Sequence, residues 1–166
     1  MIRKPICLLL LGLIAIACAT GNNGGARSMS QVELRALQTR TFETTDTRLI
    51  LKAMINALQD MGYIIKTADA DLGVLTGEMW TNIPHTKKEV KKARKKEQSL
   101  PSNIAYESTA NVTQQGNQCR VRVIFQRKVL GDSGRVMEAG VIQDAASYQA
   151  FFARVDKSVF LQKEGV

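Results

Sequence analysis

The sequence predicts an α+β domain in which an antiparallel sheet of about five to six strands carries two amphipathic helices packed on one face. Two stretches, residues 49–61 and 148–160, repeat apolar side chains at intervals of three and four, which is typical of a helix with one buried side. Most other segments of the domain alternate apolar and polar residues, which is typical of strands buried on one face. Turn sequences such as "QQGNQ" separate them. The predicted order is β-α-β-β-(basic segment)-β-β-β-α.

The beginning of the domain is compatible with two local structures. Residues 35–44 ("RALQTRTFET") contain several strand-compatible side chains, and we expect them to form mostly strand. Ser30 and Glu33 have the spacing of a capping box, in which each side chain bonds the other residue's backbone N–H. A short helical turn could therefore start at Ser30, ahead of the strand.

The first long helix and a hairpin come next. Asp46 or Thr45 can cap the helix N-terminus, and Gly62 supplies the permissive residue beyond its end. The segments Tyr63–Thr67 and Val74–Trp80 then read as two strands joined by the polar turn "ADADLG". The helix positions predicted to be buried are Leu49, Ile50, Ala53, Met54, Ala57, Leu58 and Met61.

A second hairpin, a further strand and a helix complete the domain. Residues 106–112 and 119–129 alternate apolar and polar side chains, and Val136–Ile142 gives one more strand. The last helix begins at Asp144 or Ser147, either of which can cap it. Its predicted apolar stripe consists of Tyr148, Phe151, Phe152, Val155, Val159 and Phe160.

The chain starts with a short apolar segment that ends at a cysteine. Residues 6–17 are apolar or small, and a helix of that length, about 18 Å, is too short to cross a bilayer core of about 30 Å. Arg3 and Lys4 precede the segment, as in an export signal, and "AIA" runs directly into Cys18. This arrangement resembles the lipobox of bacterial lipoproteins, the signal peptidase II site. A buried N-terminal helix with an incidental cysteine is the alternative interpretation.

The lipobox resemblance implies a membrane anchor. It implies that residues 1–17 are a signal peptide, and that Cys18 carries a diacylglycerol thioether and an acylated amino group, palmitate being one such acyl group. Two or three buried acyl chains would make attachment nearly permanent. Residues 18–33 are then the lipidated N-terminus and a flexible tether, and residues 34–166 form the single domain. Since Ala19 rather than an aspartate follows the cysteine, the resemblance implies the periplasmic face of the outer membrane.

Charge and cysteine content restrict the chemistry of the mature chain. The whole sequence carries 23 Lys and Arg against 15 Asp and Glu, a net charge of +8, which falls to +6 when Arg3 and Lys4 leave with the signal. Cys119 would then be the remaining free thiol, so we expect no internal disulfide and no cysteine-based metal site. Cys119 falls on the apolar side of its strand, where a buried, unreactive thiol is expected.

Most of the positive charge lies in one insertion between strands, residues 86–97 ("TKKEVKKARKKE"), which we call the basic segment. It has seven cations and two glutamates, a net charge of +5. It is either a solvated arm or a contact with an anionic lipid head group, a cell-wall polymer or an acidic protein. Nucleic acid is disfavoured because no aromatic side chain is interleaved to stack on bases. The candidate contact residues are Lys87, Lys88, Lys91, Lys92, Arg94, Lys95 and Lys96.

The unit Asp46–Trp80 supports a second resemblance. A helix that ends at Gly62 and leads into a hairpin resembles the helix-grip domains of BamC-type outer-membrane lipoproteins. This resemblance rests on the pattern of elements and covers no diagnostic motif. It implies a helix-grip-like arrangement and a role in an envelope assembly.

No arrangement of residues suggests an enzyme, a metal site or a cofactor site. His85 is the single histidine, and we expect it in a loop. Asp69 and Asp71 are predicted to form a hairpin turn rather than a cation site, because the further ligands of a calcium loop are missing. Trp80 and Tyr63 are expected in the core or at a strand end rather than in a sugar-binding platform.

The sequence thus favours two functions over a third. The first is a non-enzymatic, lipid-anchored scaffold or accessory subunit of a cell-envelope assembly. The second is a binding module that takes an anionic ligand through the basic segment. A hydrolase with an unrecognised site is the third.

Overall fold

A computed structural model describes residues 29–165 of the chain, and it shows the predicted α+β class: a six-stranded antiparallel sheet with four helices. The order of elements is the predicted one with two short helices added. In chain order the elements are α1 (Gln31–Gln38), β1 (Thr39–Phe42), α2 (Thr47–Asp60), β2 (Ile64–Asp69), β3 (Val74–Asn82), α3 (Lys87–Lys95), β4 (Pro101–Gln115), β5 (Gln118–Gly131), β6 (Val136–Val141) and α4 (Ala145–Glu164).

The long β4–β5 hairpin lies at the centre of the sheet. The strands run in the order β1-β5-β4-β3-β2, and β6 also pairs with β5. β1 pairs with residues 119–122 of β5, whereas β6 pairs with residues 126–130. The two short strands therefore share one side of β5, one after the other.

The hydrophobic core lies between one face of the sheet, which we call the inner face, and the helices α2 and α4. Val121, Val123 and Phe125 alternate inward along β5 and are fully buried. The Phe125 ring contacts the rings of Tyr148 and Phe151 from α4, with centroids 5.4 and 5.7 Å away. The apolar positions predicted for the two long helices supply about half of the core, and two of those predicted on α2, Leu49 and Met61, are only partly buried. The buried residues of α2 are Ile50, Leu51, Ala53, Met54, Ala57 and Leu58.

Both long helices begin at predicted caps. The Asp46 side chain accepts a hydrogen bond from the backbone N–H of Leu49 over 2.9 Å, and Asp144 accepts one from the N–H of Ser147 over 2.9 Å. Each carboxylate satisfies an N–H group that the helix itself leaves without a partner. Within residues 29–165, no helix combines the length and the apolar character needed to span a bilayer.

The prediction of mostly strand for residues 35–44 is wrong in its first half. Residues Gln31–Gln38 form α1, and only Thr39–Phe42 form strand. The capping box of Ser30 and Glu33 has both of its hydrogen bonds, which fixes the first turn of the helix. Leu34 and Gln38, one helical turn apart, are both buried. The helical spacing of these buried side chains therefore fits the local structure better than the strand-compatible composition does.

The predicted apolar stripe of α4 is correct except at its end. The Phe160 side chain is 62% exposed, whereas Val159 is buried. At about 100° per residue, Val159 lies in line with Tyr148 and Val155, and Phe160 lies a further 100° around the helix, away from the core.

Candidate functional site

The basic segment folds as a capped helix. Thr86 and Glu89 form a capping box: the Glu89 N–H donates to the Thr86 hydroxyl over 3.3 Å, and the Thr86 N–H donates to the Glu89 carboxylate over 2.8 Å. Hydrogen bonds from Thr86 hold the pKa of Glu89 below its ordinary value. The Glu89 carboxylate is thus engaged with its own helix N-terminus. This local signal starts α3 immediately after the loop that contains His85.

The cations of α3 lie away from its buried Ala93, but four of them line one depression together with the half-buried Val90, namely Lys87, Lys91, Arg94 and Lys95. At about 100° per residue, Val90 and Ala93 share one side of the helix, and Ala93 is buried. Lys87, Lys91 and Lys95 share another side, as expected for a helical segment. All seven cations named from the sequence are exposed, namely Lys87, Lys88, Lys91, Lys92, Arg94, Lys95 and Lys96.

The positive charge of α3 is not neutralised by ion pairs. Among residues 29–165, no carboxylate lies within 4.0 Å of its six cations or of Lys96 at its C-cap, since the ion pairs of this part of the chain involve other residues. A depression of about 550 Å³ runs along the helix, and its lining includes His85, Val90 and Arg94. The His85 ring nitrogen Nε2 contacts the carbonyl oxygen of Pro101, which ties the loop before α3 to the start of β4. The arrangement suits an anionic partner that contacts several cations at once.

The outer face of the sheet, opposite α2 and α4, is a second candidate surface. Its side chains form rows across the strands, because neighbouring strands pair residue by residue. One row is Trp80–Ala105–Lys128–Ala139, and the next is Ile64–Glu78–Glu107–Gln126–Val141. Trp80 is 50% exposed and Ile64 is 66% exposed. The carboxylates of this face are paired, Glu107 with Lys128 over 2.7 Å and Glu78 with Lys66 over 2.8 Å. These two rows of the outer face therefore present apolar side chains beside neutralised charges.

Tyr63 and Trp80 do not form one platform. Tyr63 is buried on the inner face, where its ring lies 5.9 Å from Phe125, and burial raises its pKa to about 12. Trp80 lies on the outer face, near the end of β3. The expectation of a core or strand-end position thus holds for each residue.

The remaining residues considered from the sequence have structural roles. The Asp69 carboxylate accepts hydrogen bonds from the N–H groups of Asp71 and Leu72, which makes the predicted β2–β3 turn. Cys119 is buried, and burial raises the pKa of its thiol. In the part of the chain that the structure describes, no three His, Cys, Asp or Glu residues are grouped to hold a metal ion. The predicted lipidation residue, Cys18, lies outside the described residues.

Sequence reasoning missed a cluster of arginines at one end of the outer face. Arg120 and Arg122 of β5 line a depression of about 260 Å³ together with Arg35 of α1. The alternation of β5 did place Arg120 and Arg122 away from the core. The contribution of Arg35 was not predicted, because its segment was expected to be strand.

Comparisons with known proteins give no family for this chain. No family model matches it, and no curated protein matches it. Among solved structures it is similar to a DUF4468 family protein from Bacteroides ovatus, with 11% sequence identity, a TM-score of 0.36, and coverage of 73% of this chain and 84% of that one.

Proposed function

We propose that the chain is a non-enzymatic, lipid-anchored cell-envelope protein that serves as a scaffold or accessory subunit of an envelope assembly. The observation that carries this proposal is the outer face of the sheet, which presents Trp80 and Ile64 half or more exposed. Aromatic side chains of this kind are enriched where proteins bind each other. The resemblance of the segment ending at Cys18 to a lipobox supports the anchor.

The layers of the domain support a scaffold role for this face. The two long helices pack on the inner face, and the main hydrophobic core forms between them and the sheet. Polar side chains lie between the apolar ones on the outer face, such as Gln126 beside Val141, and exposed Thr109 lies in the next row. Protein–protein contacts outside obligate complexes have such a mixed composition, with an apolar share close to that of the remaining surface. The domain thereby has a surface for a partner that its own stability does not require.

The anchor is tested by a matched pair of cysteine variants in cells. We expect Cys18→Ser to give an uncut precursor or a soluble species, while Cys7→Ser, whose cysteine lies within the proposed signal peptide, stays in the membrane fraction like the unchanged chain. Intact mass of the native protein should show an N-terminus at an acylated Cys18. Retention of Met1 in the native protein would contradict the lipoprotein proposal.

The partner surface is tested by site-specific photocrosslinking in intact cells. A photoreactive side chain at Trp80 should give defined adducts with an envelope protein. The control position is Leu72 at the tip of the β2–β3 hairpin, which is 75% exposed and off the outer face's apolar rows. Equal capture at both positions, or none at Trp80, would exclude the outer face as the contact.

A second candidate function rests on α3 and its C-cap residue Lys96, whose seven exposed cations have no carboxylate within 4.0 Å among the described residues. We propose as the alternative that this helix binds an anionic ligand, either lipid head groups or a cell-wall polymer. Near an anionic surface each cation contributes about 1 kcal/mol, and the effect fades over a Debye length of about 8 Å at physiological salt. Binding should therefore weaken steeply between low and moderate salt.

Two variants with equal loss of charge test the alternative. The first replaces Lys87, Lys91 and Lys95 by Gln, and the control replaces the exposed Lys52, Lys157 and Lys163 by Gln. Residues 19–166 of the first variant should lose most binding to phosphatidylglycerol vesicles or to cell-wall fragments. The control should retain it, and both should keep the melting temperature of the unchanged domain. Equal binding by the two variants would assign the contact to another surface.

A further inference from the structure

Three arginines converge at the end of the outer face next to β1. Arg120 lies in the row Thr41–Arg120–Thr113, and Arg122 lies in the adjacent row Thr39–Arg122–Asn111. Two residues apart on one strand, Arg120 and Arg122 have Cα atoms about 7 Å apart and side chains on the same face. Arg35 reaches the pair from α1. We call Arg35, Arg120 and Arg122 the arginine site.

The arginine pair of β5 stands between two depressions. The first, of about 260 Å³, is lined by Arg35, Thr39 and the pair. The second, of about 210 Å³, is lined by Asn111, Thr113, Gln115 and the pair. A small anion on the pair would thus have a third guanidinium on one side and amide and hydroxyl groups on the other. Those amides and hydroxyls suit the polar remainder of a ligand.

A chain of hydrogen bonds through buried side chains holds Arg122 in place. Its Nη2 atom donates to the Gln38 side-chain oxygen over 3.4 Å, and the Gln38 amide nitrogen donates to the Tyr148 hydroxyl over 3.4 Å. The Tyr148 hydroxyl in turn donates to the carbonyl oxygen of Ile142 over 2.7 Å. Gln38 and Tyr148 are both buried, so this chain of hydrogen bonds connects Arg122 to the core. A guanidinium fixed in this way loses little freedom when it binds a ligand.

Arg122 also has a donor that the described residues do not satisfy. Its Nε atom is buried and has no hydrogen-bond partner among residues 29–165. A buried donor without a partner is unfavourable, and a small shift of the Arg122 side chain that let a bound anion accept a hydrogen bond from Nε would remove that cost. This atom distinguishes Arg122 from an ordinary surface arginine.

The charge of the arginine site is not neutralised within the described chain. Arg40, Arg48 and Arg127 pair with carboxylates. By contrast, no carboxylate among residues 29–165 lies within 4.0 Å of the three arginines of the site. Three uncompensated guanidinium groups favour a group of charge near −2 over a single carboxylate. Phosphate has that charge, and its oxygens match the planar fork of a guanidinium.

We propose that the arginine site binds the phosphate group of a ligand, which is either an anionic lipid head group or a soluble phosphate ester. The site is separate from α3: the row of Arg122 contains Asn111, whereas α3 follows the row of Asn82 and Asn103, eight residues along β4 and about 26 Å away. The arginine site goes beyond the proposed function, and its test does not depend on whether that function is correct.

The site is tested with the full chain in neutral detergent by NMR titration with inorganic phosphate at constant ionic strength. We expect the Arg122 Nε–H resonance to shift saturably. Arg120 makes no side-chain hydrogen bond among the described residues, so Arg120→Gln should leave the melting temperature unchanged and raise the phosphate Kd about tenfold. Arg135→Gln, which removes an exposed charge in the β5–β6 turn, is the matched control and should change Kd less than twofold.

Further arms of the experiment identify the source of the phosphate. Glycerol 3-phosphate and phosphatidylglycerol vesicles are tested in parallel, with phosphatidylcholine vesicles as the control. Arg120-dependent binding of phosphatidylglycerol vesicles assigns the head group, and Arg120-dependent binding of glycerol 3-phosphate alone assigns a soluble ester. No shift with inorganic phosphate in the unchanged chain, or equal weakening by Arg120→Gln and Arg135→Gln, would overturn the proposal. Neither result bears on the Cys18 or Trp80 experiments.

Discussion

The ring of Phe125 on β5 meets the ring of Phe151 on α4 edge to face, with centroids 5.7 Å apart and planes 79° apart. Both side chains are buried, and the contact joins one strand of the central hairpin to one of the two helices that cover the sheet. Aromatic pairs in this geometry add about 0.5–1.5 kcal/mol beyond the burial of their area. The contact therefore makes a strong test of the packing between the two layers.

We expect Phe151→Ala to lower the free energy of unfolding by about 3–5 kcal/mol, because the substitution leaves a cavity against Phe125. The matched control is Phe160→Ala on the same helix, which should cost far less because that side chain is mostly exposed. Urea unfolding followed by circular dichroism measures both. Similar losses for the two variants would mean that the buried side of α4 is wrongly assigned.

The packing of α2 gives a second prediction. Leu58 is fully buried on α2 and Phe152 is buried on α4, so truncation of either to alanine should cost about 2–5 kcal/mol. Leu72→Ala, at an exposed position in the β2–β3 turn, is the control and should leave stability nearly unchanged. A melting temperature that does not move in the Leu58 and Phe152 variants would contradict the core described above.

The buried thiol of Cys119 gives a third prediction. Its side chain lies in the core, and its pKa is raised by burial first and by the Asp46 carboxylate second. Since the thiolate is the reactive form, we expect iodoacetamide to leave Cys119 unmodified in the native protein and to alkylate it in urea. Mass spectrometry of the peptide that contains Cys119 measures this. Rapid alkylation under native conditions would show that β5 opens locally.

The cap of α4 predicts a pH dependence. Hydrogen bonds from Ser147 and Ala146 lower the pKa of Asp144 below its ordinary value of 3.8. A carboxyl group whose pKa is lowered by folding stabilises the folded state above its unfolded pKa, and this contribution is lost as pH falls through the folded pKa. Asp144→Ala should therefore lower the melting temperature at neutral pH by a few degrees, and the difference from the unchanged chain should shrink in strong acid.

Asp144→Asn is the matched control for this cap, because it keeps the accepting oxygen and removes the charge. It should retain most of the stability at neutral pH and lose the pH-dependent part that Asp144 contributes. A constant difference between Asp144→Ala and the unchanged chain across the acid range would show that the carboxylate charge has no part in capping.

The long helices and the central hairpin could be predicted because their sequence signals are redundant. In α2 the cap at Asp46, the apolar period and the terminal Gly62 all indicate the same boundaries, and Gly62 does adopt a positive φ of 86°. In β5 the alternation continues over Cys119, Val121, Val123 and Phe125. Because each element carries several independent sequence signals, one misread signal does not change the predicted position of the element.

The parts that sequence reasoning missed depend on contacts between distant residues. Gln38 is buried because it reaches the Tyr148 hydroxyl, 110 positions along the chain, and no local pattern reveals such a pairing. The same contact holds the last residue of α1, in a segment where strand was expected. The arginine site likewise unites Arg35 with two residues that follow it by more than eighty positions, and only the pairing of β1 with β5 brings them together.

The division of one side of β5 between two short strands bears on self-association. A long unpaired strand edge is a template for pairing with another chain, and proteins shorten, twist or charge such edges. Here one edge of the sheet is formed by β1, of four residues, and β6, of six residues. The opposite edge, β2, is interrupted by an irregularity between Ile65 and Thr67 and carries Lys66. The two long strands, β4 and β5, are enclosed between them, so residues 29–165 offer a neighbouring copy no extended strand edge for amyloid-like stacking.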